Sequence, residues 1–236
     1  MSEEKRRIDT SALCDRLESQ IEAIRACESR HGRQPGSVRL LAVSKTKPVE
    51  AIAAAYACGQ RLFGENYAQE LEAKASALAL PDLEWHFIGP IQSNKTRIIA
   101  THADWVHSID RLKTASRLSA QRPGELPPLQ VCLQVNIDGE ASKSGVDLES
   151  LPELCASVSE LPNIRVRGLM CIPRARSAES RLRQQFARMR EARDALNAEG
   201  YSLDTLSMGM SADFQPAIAE GATIVRIGTA IFGARE

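Results

Sequence analysis

Hydrophobic and polar positions first fall into a helical period. Leu13, Leu17, Ile21 and Ile24 recur at three- and four-residue spacing, which predicts an amphipathic N-terminal helix within residues 1–33. From residue 38 the pattern changes to short apolar runs. These predict strands at 38–43 (VRLLAV), 61–64 (RLFG), 84–89 (EWHFIG), 104–109 (DWVHSI), 129–137 (LQVCLQVNI), 164–172 (IRVRGLMCI), 203–208 (LDTLSM) and 223–228 (TIVRIG). Amphipathic segments separate successive strands, the longest being AESRLRQQFARMREARDALNAEG. Gly59, Gly200 and Gly221 close such segments as left-handed C-terminal positions, and Pro48 suits a first helical turn. Strand and helix alternating eight times predict the α/β class and a (β/α)8 TIM barrel with an N-terminal helical extension. No linker or shift in composition divides the chain, so residues 1–236 are expected to form a single barrel domain.

Composition narrows the function classes. At 236 residues, 43% hydrophobic and 25% charged, the chain can bury a large core. Lysine plus arginine and aspartate plus glutamate number 30 each, so no net field recruits nucleic acid or an anionic membrane. In the arginine-rich segment, Leu182, Phe186, Met189 and Leu196 form one apolar face opposite Arg181, Arg188 and their neighbours, which predicts a solvated outer helix. The N-terminus has no apolar leader and no stretch reaches membrane-span length, so an unanchored cytoplasmic protein is expected. Six cysteines without a C-x-x-C pair are expected to be free, buried and reduced. A self-contained barrel without a dimer arm predicts a monomer.

Candidate chemistry gathers where strands end, the functional edge of such barrels. Lys45 ends the first strand (LLAVSKTKP), either as a solvated terminus or as an amine poised to react with a carbonyl. Glu65 and Asn66 (FGENY) follow the second strand, Gln92, Asn94 and Lys95 the third, and Asn136 ends the fifth. SMGMS (207–211) and RIGT (226–229) follow the seventh and eighth, where barrels often hold phosphate. Gly209 and Gly228 would admit a phosphate to the backbone, and Ser211 and Thr229 would add hydroxyl donors. Alternation along TIVRIG puts Arg226 on the same side as Ile224, so an inward Arg226 needs either a carboxylate or a ligand acceptor. An imine-forming lysine, a phosphate cup and an inward arginine together match the aldehyde, phosphate and ring nitrogen of pyridoxal 5'-phosphate.

Other motifs are missing. GTAIFGAR has alanine where a P-loop needs lysine, no G-x-G-x-x-G follows a strand, and no G-x-S-x-G elbow occurs. His31, His86, His102 and His107 have no metal-ligand spacing, so no metal site is expected, and His86 and His107 are expected to be core residues.

The segments LLAVSKTKP, FGENY, WHFIGPIQSNK, HSID, QVN followed by SKSG, RGLM, LSMGMSADF and VRIGTAIFGAR, in this order, resemble the pyridoxal phosphate homeostasis protein (YggS/PROSC) family. The resemblance runs from about residue 38 to the C-terminus. It implies a barrel like the N-terminal domain of alanine racemase, with pyridoxal phosphate held as a Schiff base on Lys45. It further implies Arg226 at the ring nitrogen, Ser211, Gly228 and Thr229 at the phosphate, and Asn66 and Met208 or Met210 near the ring. Lys95 and Lys143 are further lysines of the shared motifs, with a role in passing on the cofactor as a hypothesis.

The implied function is homeostasis of pyridoxal phosphate (vitamin B6) and of amino and keto acids, with no catalytic residue assigned. Apo forms of pyridoxal phosphate enzymes are possible recipients. An arginine at the ring nitrogen cannot protonate it, which weakens the cofactor as an electron sink. The alternative is a small pyridoxal phosphate-dependent racemase or lyase. That needs a second base, and of Tyr56, Tyr67 and Tyr201 only Tyr67 falls near the site, where it is expected to face the helix after strand two. A cofactor-free aldolase using Lys45 ranks third.

Overall fold

The structure is a computed structural model, and it describes residues 8–140, 144–174 and 177–233. Eight parallel strands close into a barrel in chain order: β1 (Arg39–Val43), β2 (Leu62–Glu65), β3 (Glu84–Phe87), β4 (Trp105–Ile109), β5 (Leu129–Val135), β6 (Ile164–Cys171), β7 (Thr205–Met210) and β8 (Ile224–Ile227). The helices are α1 (Thr10–Arg30), α2 (Val49–Ala57), α3 (Ala68–Ala77), α4 (Thr96–His102), α5 (Leu112–Gln121), α6 (Leu151–Ser159), α7 (Glu179–Ala198), α8 (Phe214–Ala219) and α9 (Thr229–Phe232). The expected (β/α)8 barrel is therefore present, and each predicted strand lies within two residues of an observed one. A short α9 follows β8, beyond the predicted alternation.

Local chemistry sets the ends. Asp9 caps α1 by accepting from the backbone N–H of Ala12 at 3.0 Å. Gly59, Gly200 and Gly221 have φ of 93°, 103° and 101°, the left-handed conformation expected after a helix. Pro48 stands one residue before α2, as its N-cap.

The main core fills the layer between strands and helices, where the apolar face of α7 buries Leu182, Phe186, Met189 and Leu196. α1 packs on α2, α8 and α9, across the seam where β8 pairs with β1. Long-range contacts hold it there: Arg16 donates to Ile231 O at 2.7 Å and Arg33 to Ala222 O at 2.6 Å. Glu28, fully buried on α1, accepts from Val38 N at 2.7 Å and fixes the entry into β1.

Two expectations need correction. Cys14 and Cys58 form a disulfide joining α1 to the end of α2, so Cys27, Cys132, Cys155 and Cys171 alone remain outside a disulfide, all buried. Cys14 and Cys58 lie 44 residues apart, and nothing local in the sequence brings them together; the packing of α1 on α2 does. Tyr67 does not face the following helix but is 54% exposed, because as the N-cap of α3 it stands outside the buried face of that helix.

Candidate functional site

The barrel interior holds a polar column. Arg226 is 4% exposed and points inward, donating through Nη1 to Ser207 O at 2.6 Å and Ser207 Oγ at 2.8 Å, and through Nη2 to Cys171 O at 2.9 Å. Among the described residues no carboxylate pairs with it directly. Those bonds use three of the guanidinium's five N–H groups, leaving two for a further acceptor.

Ser207 Oγ also lies 2.7 Å from His107 Nδ1, and His107 Nε2 lies 2.9 Å from His86 Nδ1. The Ser207 hydroxyl accepts from Arg226 and keeps a proton and a second lone pair for His107 Nδ1; the Glu84 carboxylate facing His86 Nε2 favours a proton there, which selects the arrangement in which Ser207 donates to His107. The proton of His107 then sits on Nε2 and is donated to His86, whose own Nε2–H faces Glu84 Oε2 at 3.5 Å, beyond hydrogen-bond range. Burial pushes both imidazoles down, His107 well below the usual range. Burial also pushes Glu84 up, but contacts with His86 and Arg39 outweigh it and hold the carboxyl at about 2. His86 and His107 are thus hydrogen-bonded core residues, as expected.

Lys45 is half-buried in the turn after β1. The turn is unusual because Thr46 has φ of 63°, rare for a β-branched residue. A buried ionic cluster on β2 and α3 holds it. Lys74 Nζ donates to Ser44 O at 3.0 Å, Glu65 Oε1 at 2.9 Å and Glu70 Oε2 at 2.8 Å. Glu65 Oε1 also accepts from Ser44 Oγ at 2.6 Å, and Glu70 Oε2 from Thr46 N at 2.7 Å. Both neighbours of Lys45 are therefore tied to one cluster. Burial raises the Glu65 carboxyl, opposed by Lys74 and Ser44. Burial also pushes Glu70 up, but hydrogen bonds from Lys74 and Thr46 bring it below its ordinary value.

Lys74, which belongs to none of the candidate motifs, has a readable signal of its own. Ala68, Leu71 and Lys74 share the three-residue spacing of the buried face of α3, so a lysine there requires a buried acceptor.

Register sets the remaining residues. Val43 pairs with Gly64, so Lys45 and Asn66 each follow two residues later on the exits of neighbouring strands. Asn66 is half-buried, and its Oδ1 is buried without a hydrogen-bond partner. Met210 pairs with Arg226 across a bulge, so Ser211 and the Gly228–Thr229 step emerge on neighbouring loops, both hydroxyl residues exposed. Ala42 pairs with Ile227, bringing the Lys45 turn beside them; a Cβ on Gly228 would lie 3.0 Å from Val43 O.

Not every candidate joins this edge. Met208 is fully buried in the main core, on the strand face opposite to that of Ser207, so its side chain points away from the interior. Gly209, with φ of 94°, serves packing: a Cβ there would lie 2.7 Å from Ala217 Cβ on α8. Gln92 and Asn94 are exposed and Lys95 half-buried at the start of α4. Lys143 lies outside the described residues.

Among the described residues no helix is long and apolar enough to cross a membrane, and no three His, Cys, Asp or Glu side chains group as metal ligands.

The same architecture recurs in known proteins. Residues 14–236 match the family model described as alanine racemase, N-terminal domain. The chain is 57% identical over 226 residues to the pyridoxal phosphate homeostasis protein of Pseudomonas aeruginosa, covering 96% of this chain and 97% of that one. It is 55% identical over 216 residues to the protein of the same name from Escherichia coli K12, covering 90% and 92%. Among solved structures, PipY of Synechococcus elongatus with PLP bound superposes with a TM-score of 0.81 at 39% identity, covering 94% of this chain and all of that one. The chain belongs to the pyridoxal phosphate homeostasis protein family, built on the alanine racemase N-terminal domain.

Proposed function

We propose that this chain binds pyridoxal 5'-phosphate at the C-terminal mouth of its barrel and acts in the cytoplasmic homeostasis of that cofactor and of amino and keto acids. The observation that carries the reading is Arg226, a buried guanidinium with N–H groups left for a further acceptor among the described residues, on the strand that pairs with β1, whose exit turn carries the half-buried Lys45. The orphaned Asn66 Oδ1, after the neighbouring strand β2, fits a polar ligand there. Lys45 would take the aldehyde, Arg226 would face the ring nitrogen, and Ser211, Gly228 and Thr229 would receive the phosphate. Asn66 would bond a polar substituent of the ring. Met208 would contribute backbone at most, since its side chain is committed to the core.

The bound cofactor supplies an electrophilic aldehyde and a conjugated ring. This chain's residues favour holding it over using it. Arg226 donates without giving up its proton, so the ring nitrogen stays unprotonated. No tyrosine is set for the second base of a racemase: Tyr56 donates to Pro81 O, Tyr201 precedes β7, and Tyr67 points to solvent. Apo forms of pyridoxal phosphate enzymes are the recipients this reading implies.

The test is mass spectrometry after incubation with pyridoxal phosphate and borohydride reduction. An adduct on Lys45, lost in Lys45→Ala, is expected. No adduct, or one only at other lysines, would overturn the assignment. Turnover of amino acids that Lys45→Ala abolishes would favour the racemase or lyase reading instead.

A further inference from the structure

Several family-type segments find no role in holding the cofactor: HSID (107–110), QVN (134–136) and the serine of SKSG at 144. The fold brings them to one place. A cavity of about 360 Å³ opens at the barrel mouth beside Asn66, with Ser108, Asp110, Arg111, Gln134 and Ser144 on its wall. It lies over the ends of β2 to β6, whereas Lys45 and the proposed phosphate loops follow β1, β7 and β8.

Two charges of opposite sign form a long ion pair there without a hydrogen bond between them. Arg111 Nη1 is 3.9 Å from Asp110 Oδ1, too far for a hydrogen bond. Arg111 Nε donates to Thr114 Oγ1 at 3.0 Å, which steadies the guanidinium and leaves its Nη groups available. The Asp110 side chain is only 22% exposed, and among the described residues no donor hydrogen-bonds its carboxylate. A carboxylate on a cavity wall, open to the cavity and without such a donor, can accept an ammonium. Arg111, poised beside it, calls for an anion. Apolar wall from Ile88, Ile91 and Ile172 completes the cavity, with Ile172 41% exposed at the mouth.

We propose that this cavity is a binding site for a free α-amino acid: ammonium on Asp110, carboxylate on Arg111, aliphatic side chain against the isoleucine wall. The two charges of an α-amino acid are separated by one carbon, so a single molecule can satisfy both partners of the open pair. A simple carboxylate or amine would satisfy one and leave the other unpaired. The inference rests on the cofactor reading, because it places the amino acid beside the cofactor.

The experiment is calorimetric titration of L-leucine into the protein as purified and into protein whose cofactor has been fixed to Lys45 by borohydride, so that no exchange on the aldehyde contributes. Saturable binding of L-leucine to the fixed form is expected. Arg111→Met and Asp110→Asn should each weaken it at least about tenfold, the equivalent of losing one charge-assisted hydrogen bond. Acetate and methylamine should bind at least as much more weakly, and Arg188→Ala, on distant α7, should bind L-leucine as the parent does. Thermal melts of the variants should match the parent, since Arg111 is 55% exposed. No saturable binding, or binding that both substitutions leave intact, would overturn the site while an adduct at Lys45 upheld the cofactor reading. Absence of that adduct would overturn both.

Discussion

Lys74, on α3, donates to the backbone carbonyl of Ser44 at 3.0 Å, one residue before Lys45. The contact joins the first strand's exit to the third helix and, through Glu65 and Glu70, clamps a turn in which Thr46 is strained. Removing one partner of such a pair leaves an uncompensated buried charge, which costs about 3–5 kcal/mol. Lys74→Met is expected to lower stability by about that much in urea unfolding. Adding Glu65→Gln to it should return part of the loss, because the buried carboxylate goes too. If Lys74→Met also slows adduct formation at Lys45 while the double variant stays folded and slow, the cluster positions Lys45 and does more than support the fold.

Gly209 and Gly36 share a positive φ, 94° and 84°, and differ in surroundings. A Cβ on Gly36 meets nothing within 4 Å, whereas one on Gly209 lands 2.7 Å from Ala217 Cβ and 3.0 Å from Phe214 Cα. Gly36→Ala is expected to cost about 1 kcal/mol from backbone strain alone. Gly209→Ala must in addition push α8 off β7, so its melting temperature should fall further. Equal melting temperatures would show that α8 moves without cost.

The disulfide closes a loop with a sequence separation of 44, for which chain entropy gives roughly 4 kcal/mol and typical measured values are about 2–4. Cys14→Ala with Cys58→Ala should lower the urea midpoint accordingly. Alkylation of unfolded, unreduced protein should label only the remaining Cys27, Cys132, Cys155 and Cys171. Labelling of Cys14 and Cys58 as well would mean the bond does not form in the purified protein.

The parts of this molecule that depend on period and local turn chemistry were legible in the sequence. Eight apolar runs became eight strands, and strand alternation put Arg226 inside. Lys45, Asn66, Ser211, Gly228 and Thr229 were readable as one edge because parallel strands of a barrel all end on the same side. What escaped depends on tertiary approach. Cys14 meets Cys58 only through the packing of α1, and Met208 turns outward because its neighbour Ser207 turns in. The polar column from Glu84 to Arg226 joins strands three, four, seven and eight, a pairing no local pattern encodes.

That column makes stability depend on pH with a definite sign. In the unfolded chain His107 takes a proton near pH 6.5. In the folded protein burial, reinforced by His86, Arg226 and Arg39, pushes its pKa well below that, so it stays neutral where the unfolded form is charged. The unfolded state then binds more protons, and stability falls as pH drops below about 6.5, by up to about 1.4 kcal/mol per pH unit for each such histidine. Above that pH His107 contributes no slope. His86 is lowered too, but Glu84 and Asp104 face it and oppose the shift, so its share is smaller. Glutamine at 107 can still accept from Ser207 and donate to His86 but cannot titrate, which separates the charge from the contact. Urea unfolding between pH 7.5 and about pH 5 should therefore show the parent losing stability more steeply than His107→Gln, by about 1 kcal/mol per unit. Parallel slopes would mean that His107 protonates as readily inside the barrel as outside it, with its Nδ1–H donating to Ser207 Oγ in place of accepting from it.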